Sequence, residues 1–114
     1  MVTTILLVKQ GSYVGFHTVG HAGEAIKALP GQDLVCAAVS VLTQNTANSL
    51  EFFLGEACVS VVVNDGDLKV ILIDPLPDGG HHDAQVILQT LNLGLKDLED
   101  TYPKYLRLQM EEVD

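Results

Sequence analysis

Two β-branched runs, Ala57 to Val63 and Leu68 to Ile73, flank Asn64-Asp65-Gly66-Asp67, and this arrangement restricts the fold more than any other local signal in the chain. The glycine of an Asp-Gly pair takes the positive φ of a tight turn, so the two runs are expected to pair as an antiparallel hairpin. The same pattern opens the chain. There Thr4 to Val8 and Tyr13 to Val19 are β-rich and Lys9-Gln10-Gly11-Ser12 is a turn between them.

The segments after each hairpin change period. Asp33 is a good N-cap, since its carboxylate can accept from the N–H groups of Val35 and Cys36. The helix it opens is predicted to run to about Phe53 and to close at Gly55, with Asn45, Thr46 and Asn48 favouring a bend in its middle. A second helix is predicted from near Asp83, with an apolar stripe of Ala84, Ile87, Leu88, Leu91, Leu95, Leu98 and Tyr102, interrupted only by Gly94. Beyond Tyr102-Pro103, Leu106, Leu108 and Met110 alternate with Arg107, Gln109 and Glu111, the pattern of a half-buried strand. The order strand-strand-helix-strand-strand-helix-strand predicts one α+β domain over residues 1–114, two helices packed on a mostly antiparallel sheet.

With 47% hydrophobic and 18% charged residues, and no polar low-complexity tract, the whole chain is expected to fold. The formal net charge of −9 argues against nucleic acid as a direct partner, because phosphate contacts need a basic surface. An acidic surface attracts basic peptides or proteins instead, although net charge also serves plain solubility. Apolar runs such as Ile5 to Val8 and Val61 to Val63 are far too short to span a membrane. The N-terminus lacks the basic flank and long apolar stretch of a secretory signal, so a cytoplasmic protein is expected. Two cysteines in such a chain do not make a disulfide framework.

The chemistry is concentrated in Gly20-His21-Ala22 and in Gly31-Gln32-Asp33-Leu34-Val35-Cys36-Ala37-Ala38-Val39-Ser40. Between them Ala22 to Gln32 reads as an irregular loop broken by Pro30-Gly31, of the length that often serves as a lid. Cys36 falls in the expected first turn of the helix, where unpaired N–H groups and the positive dipole end favour a thiolate. The carboxylate of Asp33 opposes that ionisation, and a protonated His21 would offset it. The same N–H groups could hold the oxyanion formed when sulfur attacks a peptide carbonyl. The plainer reading makes Cys36 a small core residue, as free cysteines in apolar company usually are.

The Asp-Leu-Val-Cys-Ala-Ala-Val-Ser run after Gly-His-Ala resembles the signature of the ribosomal-processing cysteine protease family, Prp. The likeness extends through the Asp65-Gly66 hairpin and the leucine-rich second helix to Tyr102-Pro103-Lys104-Tyr105. It implies a cysteine endopeptidase that trims the N-terminal extension of a bacterial large-subunit ribosomal protein, the one numbered twenty-seven. The resemblance places the nucleophile at Cys36, the histidine base at His21, and the signature aspartate at Asp33, as helix cap or histidine orienter. Gly20, Ala22 and Gly31 belong to the substrate loop, a homodimer is implied, and no metal or organic cofactor is required. Two departures fall in that loop. The spacing from His21 to Cys36 looks a few residues longer than is usual, and Gly23-Glu24-Ala25 stands where an aromatic commonly follows Gly-His-Ala.

Other residues are assigned blander roles. Ser40, one turn after Cys36, either lines the site or bonds a helix carbonyl, and the second is preferred. Cys58 reads as an inert core or sheet residue, and His81-His82 as a solvent-exposed loop pair. A metal site from His17, His21 and Cys36 or His82 finds no support in the spacing, and the chain has no Cys-x-x-Cys motif. Gly11 and Gly79-Gly80 follow no phosphate-binding pattern. The rival functional reading is a non-catalytic binding module of the same fold that holds a basic ribosomal protein on its acidic surface.

Overall fold

A computed structural model describes residues 1–20 and 32–114, with Gln32 described in its backbone alone. The first hairpin joins β1 (Val2–Lys9) to β2 (Ser12–Val19) through Gln10 and Gly11, both at positive φ (52° and 81°). Two central residues of that hand turn the chain in register with the twist of the flanking strands. The second hairpin is β3 (Val59–Asn64) and β4 (Asp67–Leu72), turned at Asp65-Gly66 as expected. Helix α1 (Gln32–Leu54) precedes it, with Gly55 at φ 95° just beyond the helix and a short 3-10 turn over Glu56–Cys58. Helix α2 (Gly80–Thr101) and β5 (Leu106–Glu112) complete the chain.

The five strands form one sheet in the order β3-β4-β2-β1-β5. All neighbours are antiparallel except β1 and β5, which run parallel from the Val2↔Leu106 pair to Val8↔Glu112. Helix α2 provides the crossover that a parallel pair of this kind requires. Alternation along the strands turns Val2, Leu6, Phe16, Leu68, Val70 and Leu106 to one face, where they join Val35, Val39 and Leu50 of α1 and Ala84, Leu88, Leu91 and Leu95 of α2 in a single core. Thr4 and Thr18 are fully buried cross-strand partners, satisfied by a hydroxyl–hydroxyl bond of 3.2 Å.

Several boundaries depart from the sequence reading. Helix α1 begins at Gln32, so Asp33 lies inside the first turn and is not the cap, and Cys36 falls in the second turn. A carboxylate inside the first turn still favours the helix through the dipole, and glutamine extends a helix better than aspartate does. The helix runs unbroken through Asn45 to Asn48, where the Thr43 and Thr46 hydroxyls bond the Val39 and Leu42 carbonyls one turn back. Helix α2 starts three residues earlier than Asp83, at Gly80. Its first turn therefore carries His81 and His82, which are exposed but helical. Gly79 at φ 75° supplies the entry that the periodicity of Ala84 and its successors could not reveal. In β5 only Leu106 is buried and Met110 is exposed, because the outer end of this edge strand runs past the helical cover.

Gly15 fixes the register at the centre of the sheet. Leu7 pairs with Gly15 while Val8 pairs with Tyr13, leaving Val14 as the extra residue of a bulge. The side-chain amide of Gln85 on α2 closes the bulge by bonding both the N–H and the carbonyl of Tyr13 at 2.8 Å. A Cβ at Gly15 would stand 2.1 Å from the Val70 carbonyl oxygen of β4, a clash only backbone movement can relieve. Gly15→Ala is therefore expected to cost about 3 kcal/mol or more. Gly11→Ala, at positive φ but with nothing within 4 Å, should cost about 1 kcal/mol. Thermal unfolding of the two variants measures the difference, and equal losses would refute the clash.

Candidate active site

Gly20, the described residue of the Gly-His-Ala segment, lies at one end of the sheet. Here β1 begins, β2 ends at Val19-Gly20, and the β3–β4 turn closes. Gly20 adopts φ 85° and donates its N–H to the Gly66 carbonyl at 2.7 Å, which clamps the end of β2 to that turn. A Cβ on Gly20 would lie 2.9 Å from the Met1 carbonyl oxygen, so both the conformation and the space call for glycine. The chain thus leaves the sheet toward His21 from a fixed bend. His21, Ala22 and Gly31 lie outside the described residues, and so does the geometry of the expected His21–Cys36 pair.

Cys36 enters this end from α1. It is only 7% exposed and belongs to the core cluster together with Val35 and Val39. Burial pushes its thiol up from the ordinary range, the Met1 ammonium pulls it partly back, and the Asp33 carboxylate adds to the rise. This is the reverse of the acidic thiol that a first-turn position led one to expect. The cause is the helix start: dipole stabilisation fades beyond the first turn, and in the second turn desolvation outweighs it. The first turn of α1, from Gln32, lies one turn ahead of the sulfur. Asp33 itself is exposed. Ser40 lies on the same face of α1 as Cys36, one turn on, and is half-buried.

The remaining candidates are dispersed. His17 sits on the uncovered face of the sheet, in the row of Ile5 and Lys69, and its Nε2 meets the carboxylate of Asp67. Cys36 is on the helical side, so His17 and Cys36 cannot share an ion. No group of three His, Cys, Asp or Glu able to hold a metal occurs among the described residues. Cys58, half-buried in the 3-10 turn, directs its thiol toward the Pro75 carbonyl at 3.6 Å. No described helix is long and apolar enough to cross a membrane.

A feature absent from the sequence reading is the groove between α1 and β3, of about 340 Å³, with Gln44, Asn48 and Glu51 on one wall and Val61 and Val63 on the other. Its signal was nonetheless present in the chain. α1 carries no charged residue between Asp33 and Glu51, although the protein as a whole has a net charge of −9.

Solved structures of the same architecture exist. SMU.848 from Streptococcus mutans superposes with a TM-score of 0.79 at 26% identity, covering 99% of this chain and 96% of that one. A ribosomal processing protease Prp from S. aureus, in complex with a substrate peptide, gives a TM-score of 0.82 at 24% identity over 97% of this chain and all of that one. The complex of the S. aureus protease with a covalently linked product peptide gives 0.74, again at 24% identity and the same coverage. No curated protein matches the chain. The family model of the cysteine protease Prp spans residues 1–107, nearly the whole sequence, and the chain therefore belongs to the Prp family of cysteine proteases.

Proposed function

We propose that this protein is an endopeptidase that removes the N-terminal extension of a bacterial large-subunit ribosomal protein, the one numbered twenty-seven, using Cys36 as nucleophile and His21 as base. The observation that carries this reading is the family match across residues 1–107, which spans the Gly20 bend and the cysteine of α1. His21 takes the proton of the Cys36 thiol as sulfur attacks the scissile carbonyl. N–H groups at the start of α1 serve as donors for the oxyanion. The imidazolium then protonates the leaving amine, and water deprotonated by His21 releases the acyl group. A thiol raised by burial fits a nucleophile that rests neutral and is deprotonated only when a peptide is seated. Asp33, exposed in the first turn of α1, serves in this reading to orient the imidazole. Gly20, Ala22 and Gly31 frame the substrate loop, and Ser40 bonds the helix. No cofactor takes part.

The protein acts in the cytoplasm as a homodimer, as the resemblance implies. Supporting this is an apolar surface of Leu34, Ala37, Ala38, Val41 and Leu42 on α1 with Leu98 on α2, the kind of patch a second copy buries. The rival reading, a binding module holding a basic protein, draws on the net charge of −9 and on the buried thiol.

Cys36→Ala is expected to lower cleavage of the N-terminally extended ribosomal protein by at least about a thousandfold, and His21→Ala by at least about a hundredfold. The circular dichroism of both should remain that of the parent. Unimpaired cleavage by Cys36→Ala would sink the assignment, and salt-sensitive binding without turnover by the parent would favour the binding module. A second measurement addresses the resting thiol. Without substrate, Cys36 should alkylate more slowly at pH 8 than a free small thiol, its rate still climbing above pH 9 because burial favours the neutral form. A profile already flat below pH 8 would show that burial does not dominate.

A further inference from the structure

The strand β3 ends the sheet on one side, and its free edge is unusually inviting. Val61, Val62 and Val63 are 37%, 49% and 71% exposed, and the strand carries no lysine, proline or bulge to blunt it. The two-residue turn makes Asn64 and Asp67 a hydrogen-bonded pair, and the Ile73 N–H bonds the Cys58 carbonyl at 2.8 Å. These two anchors set the phase of the ladder: Ser60 and Val62 bond toward β4, while the backbone groups of Val61 and Val63 point to the open edge.

Beside this edge lies the groove under α1, to which Glu51 brings an acidic side chain, while the carboxylate of Asp67 at its end meets His17 on the opposite face. The nearest lysine of the hairpin, Lys69, is on the opposite face of the sheet beside His17. The helical wall is continuous with the site. Cys36, Ser40, Ala47 and Glu51 recur at the spacing that puts them on one stripe of α1, so the helical wall of the groove lies in line with the sulfur.

We propose that β3 and this stripe of α1 form a docking channel for an extended, basic stretch of the polypeptide whose scissile bond is presented to Cys36. The peptide adds as a sixth strand through the backbone of Val61 and Val63, and a lysine or arginine meets Glu51. Gln44 lies two turns from Cys36, about 12 Å along the axis. At about 3.3 Å per extended residue, the recognised basic side chain sits roughly four to seven residues from the scissile bond. A second copy fits this edge poorly, because pairing two β3 edges sets one acidic groove against another. The proposal rests on the protease reading for the identity of the peptide, and its test separates docking from turnover.

Docking is read by fluorescence anisotropy on the Cys36→Ala protein. The probes are labelled synthetic peptides of the N-terminal extension, one natural and one with its Lys and Arg replaced by Glu. Val63→Pro removes one outward N–H without breaking a ladder bond, and Glu51→Lys reverses the charge of the groove. Each variant should weaken the natural peptide by about tenfold, and Glu51→Lys should bring the acidic peptide to equal or tighter binding. In the protein with Cys36 intact, the same substitutions should raise KM for the natural peptide while the alkylation rate of Cys36 stays unchanged. Equal affinities across the variants would overturn the channel even if cleavage is intact. Absence of cleavage with the binding pattern intact would overturn the protease reading alone. Should Val63→Pro dissociate a dimer in sedimentation velocity without altering peptide affinity, the edge is a self-interface and the proposal fails. If that variant melts below the assay temperature, Glu51→Lys carries the test.

Discussion

The protein depends on the burial of one sheet face beneath two helices. Val2, Leu6, Phe16 and Val70 supply the sheet's side of that layer, and Val35, Val39, Leu50, Leu88 and Leu95 the helices' side. At roughly 25 cal/mol per Å² of apolar surface removed from water, this layer outweighs any single polar contact in the molecule. It also fixes which stripe of α1 faces inward. The opposite face of the sheet stays partly open and carries the His17–Asp67 pair, remote from the cysteine.

That same layer decides the chemistry available to Cys36. A sulfur held in the second turn among valines is sheltered from water, so its neutral form is favoured and the helix dipole acts on it weakly. A buried thiol of this kind is sheltered from adventitious oxidation, which follows thiolate character and exposure. The Gly20 bend is tied to Gly66, and a side chain there would meet Met1, so β2 ends at a defined point.

Local signals carried over into the structure where the physics is local. The Gln10-Gly11 and Asp65-Gly66 turns appear where their glycines called for them, and Gly55 closes α1 because its φ of 95° does not continue a helix. Helix starts were less legible. Gly80 is recruited by its packing against Leu54, Leu76 and Pro77 and by the entry geometry of Gly79, neither of which shows in an apolar period. The α1–β3 groove was not foreseen, because it requires knowing that β3 is an edge strand and that Gln44 and Glu51 lie beside it.

Sequence by itself determined the elements, their order, the α+β class and the family, because turn glycines, periodicity and the Asp-Leu-Val-Cys-Ala-Ala-Val-Ser run are properties of neighbouring residues. The tertiary structure alone decided the parallel pairing of β1 with β5, the placement of β3 at the edge, and the direction of the thiol shift at Cys36. Each of these depends on which distant segments exclude water from one another, and that is settled only when the whole chain packs.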